Sequence, residues 1–250
     1  MDTGTVFGLI LVALVVTAVA AAITHRKRKL ALALARKRAE FIQRYAFPAE
    51  LRNRLQRNHD LTLESSGRVL EGLRQYFLAC LSAQRSAIAK EVGMPSKAVD
   101  AAWHEFIVLT KEYAAFCDKA FGRYLHHTPK AMMETPTSAA LANTLHQVKG
   151  PALSPAGWAM VGSVPLIFAL DRELGFKDGH MYDETAIHDL EGVRQAQLAM
   201  VSSSGGGSDD GSSSSWSWSG GSDTSGGDSG AGDSGGGGGG CGGGGGCGGS

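Results

Sequence analysis

Asp100, His104, Cys117, His126 and His127 are the residues of this chain whose types and spacing suit them to chemistry. Imidazole, thiolate and carboxylate are the donors zinc prefers, and a carboxylate behind a ligating imidazole is the usual supporting arrangement. His104 follows Asp100 by four residues, so on a helix the two share a face and can hydrogen-bond. The first reading is therefore a zinc or iron site, or an acid-base site, with His104, Cys117, His126 and His127 as ligands and Asp100 orienting His104. No two of these residues have a recognised zinc spacing such as CxxC or HExxH. The competing reading is structural: Asp100 and His104 are a helix-stabilising pair, Cys117 is a small buried hydrophobe, and the two adjacent histidines cap a helix end.

The element that must position them is helical. Val99, Trp103, Phe106, Thr110, Tyr113, Cys117, Phe121 and Tyr124 recur at steps of three or four, which predicts one long amphipathic helix with an aromatic seam. Ser96, after Pro95, is a good N-cap, and Asp100 adds favourable charge near the helix start. Gly122 weakens the far end, and Pro129 forbids helix through His127 and Thr128. Before this element, Pro48 opens a helical unit, Val69, Leu70, Leu73, Phe77, Cys80 and Leu81 share one face of a core helix, and Ile88–Val92 make a short helix. After it, helices are expected over Ala139–Val148, in the run PLIFALDRELG with Gly175 at its end, and over Asp183–Met200. The segment containing Asp178, Gly179, His180, Tyr182 and Asp183 lacks the EF-hand pattern and reads as a surface turn.

The run VDAAWHEFIVLT, then YAAFC, then FGRYLHHTP resembles the bacterial proteins called glycine-rich domain-containing protein-like, whose members tend to carry a D-x-x-W-H-x-F helix, a cysteine and an H-H-x-P end. FPAELRNRL and VLEGLRQYFLAC extend the resemblance over roughly residues 46 to 130. It implies a helical domain and adds no activity.

The ends of the chain differ in kind from the middle. The uncharged run TVFGLILVALVVTAVAAAI, Thr5–Ile23, spans roughly 30 Å as a helix and is expected to be a single transmembrane segment. It lacks the positive leader of a signal peptide, and the charges follow it in HRKRK at 25–29. The positive-inside bias then places the N-terminus outside a bacterial inner membrane, with domain and tail in the cytoplasm. Residues 25–45 read as a basic juxtamembrane helix. Its Arg26, Lys27, Arg28 and Lys29 suit the anionic headgroups of the bilayer, so nucleic acid is not needed to explain them. From Ser202 the composition collapses to Gly, Ser and Asp, which predicts disorder.

The 24 basic and 24 acidic residues balance overall, but five of the acids lie in that tail, so the body carries +5 and the tail −5. Trp216 and Trp218 are its only apolar anchors. Cys241 and Cys247 do not pair with Cys80 and Cys117 into a disulfide framework, and two thiolates alone close no tetrahedral site. The Walker, dinucleotide, GxSxG, HExxH and kinase patterns are absent from the sequence. The expectation is an all-α protein: one transmembrane helix, a helical domain over 46–201 and a disordered tail over 202–250. Its helical domain serves as an interaction or scaffolding module with an unknown protein partner. The alternative is a metal-binding enzyme or sensor built on His104, Cys117, His126 and His127.

Overall fold

A computed structural model describes residues 3–86, 91–128, 133–150 and 158–203. The tail, with Trp216, Trp218, Cys241 and Cys247, lies outside the described residues, as does most of the short helix expected over Ile88–Val92. Eight helices appear among the described residues: α1 (Thr3–Arg44), α2 (Ala49–His59), α3 (Leu63–Ala83), α4 (Lys97–Val108), α5 (Thr110–Phe121), α6 (Thr137–Lys149), α7 (Leu166–Leu174) and α8 (Glu184–Ser203). Two-residue strands β1 (Met160–Val161) and β2 (Val164–Pro165) form a small antiparallel hairpin, in the register Met160 to Pro165 and Val161 to Val164.

Helix α3 is the hub. Thr62 caps it by accepting from the Ser65 amide, and α1, α2, α4, α6 and α7 all pack against it. Its apolar face was expected to be single, yet every residue from Tyr76 to Ala83 is buried. The polar side chains caught in this enclosure are satisfied: Gln75 donates to the Ala159 carbonyl and accepts from the Ile167 amide, and Ser82 bonds Gln147. Buried polar groups are tolerated on that condition. At Gly72 the helix approaches α4 and α7 so closely that a Cβ would run into the side chains of Leu170 and Val99.

The aromatic seam is real but is not carried by one helix. The chain breaks at Leu109 (φ −81°, ψ 66°) between α4 and α5. On a continuous helix Trp103 and Tyr113 would stand roughly 15 Å apart along the axis. The break lets the Trp103 indole donate to the Tyr113 hydroxyl at 2.9 Å. Phe77, Phe106, Phe116 and Phe121 close around this corner with ring centroids 4.9–6.3 Å apart, a spacing that favours tilted and edge-on pairs.

The transmembrane segment expected over Thr5–Ile23 is not supported: among the described residues, no helix is long and apolar enough to cross a membrane. The apolar run is the first part of a 42-residue helix that continues unbroken through the basic cluster. The side chains of Thr5, Val6, Gly8, Leu9, Ile10 and Ala13 lie outside the described residues. The single-pass, inner-membrane placement with the N-terminus outside and a cytoplasmic domain rested on that span and falls with it. Helix α1 joins the body through its C-terminal part, where Ala35, Ala39 and Ile42 are buried. There Arg74 donates to the carbonyls of Ile42, Gln43 and Tyr45 at 2.6–3.0 Å, closing the helix end.

Gly72→Val is expected to lower the unfolding free energy by at least about 2 kcal/mol through overpacking. A urea titration with an unchanged slope checks this, since only the midpoint moves when the native packing alone is damaged.

Candidate metal centre

The site begins with the way α4 is started. Ser96 is its N-cap, accepting from the Val99 amide at 3.1 Å. Behind Ser96 stands Asp171, a buried carboxylate at the end of α7. It accepts from the Ser96 hydroxyl (2.6 Å) and from the amides of Lys97 (2.8 Å), Ala98 (3.1 Å) and His180 (2.8 Å). A carboxylate at the positive end of a helix, with four donors around it, is a strong orienting contact. It fixes the direction in which Asp100 and His104 leave the first turns.

His127 reaches the same place from the other side. Gly122, in the left-handed conformation (φ 71°), ends α5 by donating to the Cys117 and Asp118 carbonyls, and the chain turns back. Leu125 is buried, and its carbonyl accepts from the Tyr113 hydroxyl. This continues the bond from Trp103, whose ring lies 4.4 Å from that of His127. The indole is thus both the wall behind His127 and the start of the hydrogen-bond chain that tethers its loop.

Asp100, His104 and His127 converge. One ligand atom from each lies within 4.8 Å of the others. His127 Nε2 is 2.8 Å from Asp100 Oδ1, and the two imidazole rings are 4.3 Å apart. His104 Nδ1 is 2.8 Å from the Asp100 backbone carbonyl, with the carboxylate oxygen Oδ2 further off at 3.5 Å. A carbonyl only accepts, so this contact calls for the His104 proton on Nδ1, with the ring's lone pair on Nε2.

Ligands about 2.1 Å from a tetrahedral ion stand about 3.4 Å from one another, so an ion would need the 2.8 Å Asp100–His127 contact to open slightly and His104 to make a small inward movement. His104, with 57 % of its side chain exposed, is free to make it. The residues present therefore fit a metal with three protein donors, and all three line a cavity of about 390 Å³. Three protein ligands and an open position are typical of catalytic zinc, and two histidines with one carboxylate also suit iron(II).

Cys117 and His126 stand outside this group. Cys117 is fully buried on α5, and burial pushes its thiol up from the ordinary range. His126 is exposed, packs on the Tyr124 ring at 4.9 Å, and lines a separate cavity of about 80 Å³ together with Cys80. The Cys80 thiol is pushed up to about 12 by burial. Sequence reasoning missed Asp171, which closes a contact across some seventy residues and has no local signature. It also missed Lys97 and His180, which line the larger cavity. The Ser96 cap was the single visible hint that the start of α4 would be held precisely.

In comparison with known proteins, a family model, UCP032817-like, matches residues 37–201. The chain belongs to the UCP032817-like family. The match covers the last turns of α1 and everything through α8, and with them all three converging residues; the glycine-rich domain-containing name suggested by the resemblance is not confirmed. No curated protein and no solved structure matches.

The thiols of Cys80 and Cys117 are expected to resist iodoacetamide in the folded protein and to react once it is unfolded, because buried thiols with raised pKa values hold little thiolate. Mass-spectrometric mapping of alkylation before and after guanidinium addition reads this directly.

Proposed function

We propose that this protein binds one divalent transition-metal ion, zinc or iron(II), through Asp100, His104 and His127, and uses it on a small molecule held in the adjoining cavity. The observation that carries the reading is the convergence of the three side chains from two separate segments on one cavity wall. When bound, the ion would supply Lewis acidity or an activated water at the open positions. Asp100 is partly exposed and His127 is mostly covered, so the site is reachable from solvent through the His104 side. In the metal-free protein the Asp100–His127 contact holds the same loop as a hydrogen-bonded pair, and an entering ion must displace the shared proton.

The test is elemental analysis of the full chain, prepared without a histidine tag. The expected result is near-stoichiometric zinc or iron in the parent. Loss of supporting residues alone weakens a site 10- to 100-fold, so Asp100→Asn, His104→Ala and His127→Ala are expected to lower affinity by about 100-fold or more. Cys117→Ala and His126→Ala retain the metal. A folded protein that takes up no metal overturns the reading and leaves Asp100–His127 as a structural pair.

One observation favours a second reading, an interaction module. Residues 3–31 of α1 are exposed wherever they are described, including Leu11, Val12, Leu14, Val15, Val16 and Val19, and the cluster Arg26, Lys27, Arg28 and Lys29 is exposed as well. Such a helix supports docking to an apolar or anionic partner surface. A partner that stays bound after Leu11, Val15 and Val19 are changed to serine would count against α1 as the docking element.

A further inference from the structure

The cavity beside the candidate metal centre has two chemically distinct ends, and their composition points to what it holds. Resting on the metal reading above, we propose that its ligand is a small organic anion with an apolar chain, such as a medium-length carboxylate. Its head sits between the metal and Lys97, and its tail lies against Met94, Met133 and Leu141.

The argument for the anion is charge balance. Among the described lining residues Asp100 is the only carboxylate, whereas Lys97 contributes an ammonium and His180 an imidazole. Of the other acids nearby, Asp171 does not line the cavity and is saturated by its four donors, and Glu91, on the adjoining smaller cavity, accepts from the Thr135 amide. A divalent ion held by Asp100 and two neutral imidazoles therefore leaves positive charge in excess at this end. An anionic head bridging the ion and Lys97 would complement that charge.

The argument for the tail is surface. Met94, Met133 and Leu141 are each half-buried and line the same cavity, backed by Trp103 and Tyr76. Half-covered methionine and leucine in a concavity are what an alkyl chain would cover, and methionine adapts to chains of different shape. The volume of about 390 Å³ is within the range of small-molecule sites.

The test is calorimetric titration of the zinc-loaded full-length protein with acetate, hexanoate, hexylammonium and inorganic phosphate, after zinc content has been measured separately. Hexanoate is expected to bind at least tenfold more tightly than acetate or phosphate, and hexylammonium not to compete with it. Lys97→Met should weaken hexanoate at least tenfold with zinc content unchanged. Leu141→Ser should narrow the gap between hexanoate and acetate without touching zinc. If zinc is bound but hexanoate binds no better than acetate, or Lys97→Met changes nothing, this inference is overturned and the metal reading stands. If neither zinc nor iron(II) is bound, both fall.

Discussion

The contact on which the rest of the architecture depends is the carboxylate of Asp171 at the start of α4. It ties the end of α7 and the backbone at nearby His180 to the first turn of α4, some seventy residues earlier in the chain, through four donors at 2.6–3.1 Å. A single buried acid can hold this much because each donor would otherwise be an orphan: two are first-turn amides of a helix, and one is the hydroxyl that caps it. Gly179 is part of the same device, since a Cβ at that position would press into the Asp171 side chain. With α4 aimed in this way, Trp103 points into the core and its neighbour His104 points out.

The core and the site are consequently one construction. The bond from Trp103 to Tyr113 requires the break at Leu109, and the bond from Tyr113 to Leu125 requires the turn after Gly122. Together they bring His127 back over the first turns of α4. Burial raises the Tyr113 hydroxyl far above its ordinary range, so it remains a neutral donor and acceptor at any physiological pH. The loop that carries His127 is thereby held by a group that does not titrate under working conditions.

Much of this could be read from the chain. The helices of the body, the Ser96 cap and the stops at Gly122 and Gly175 follow from local chemistry and periodicity, and the structure has them. The break at Leu109 was hidden because the three-to-four spacing of the seam continues straight through it; the reward for breaking is a contact ten residues away, which periodicity does not record. The all-round burial of α3 was hidden because Gln75 and Ser82 look like solvent-facing residues until their partners, Ala159, Ile167 and Gln147, are in place. At the site, the Asp100–His104 spacing was legible, and His127 was visible as a residue type. That His127 and not Cys117 joins the group depends on the direction of the returning loop. The apolar run near the N-terminus was read by its composition as a membrane element, whereas in the fold it is one end of a helix whose charged remainder belongs to the same rod.

Helix α1 has a further implication. Its packing begins at Ala35, and the family match begins at residue 37. The part of the chain that shares a common ancestry with the family is thus the part that shares in the core, and about thirty residues before it contribute no buried side chain among those described. Selection on folding has almost no grip on such an extension. Its length, charge and apolar content can therefore change without disturbing the packed core of the domain.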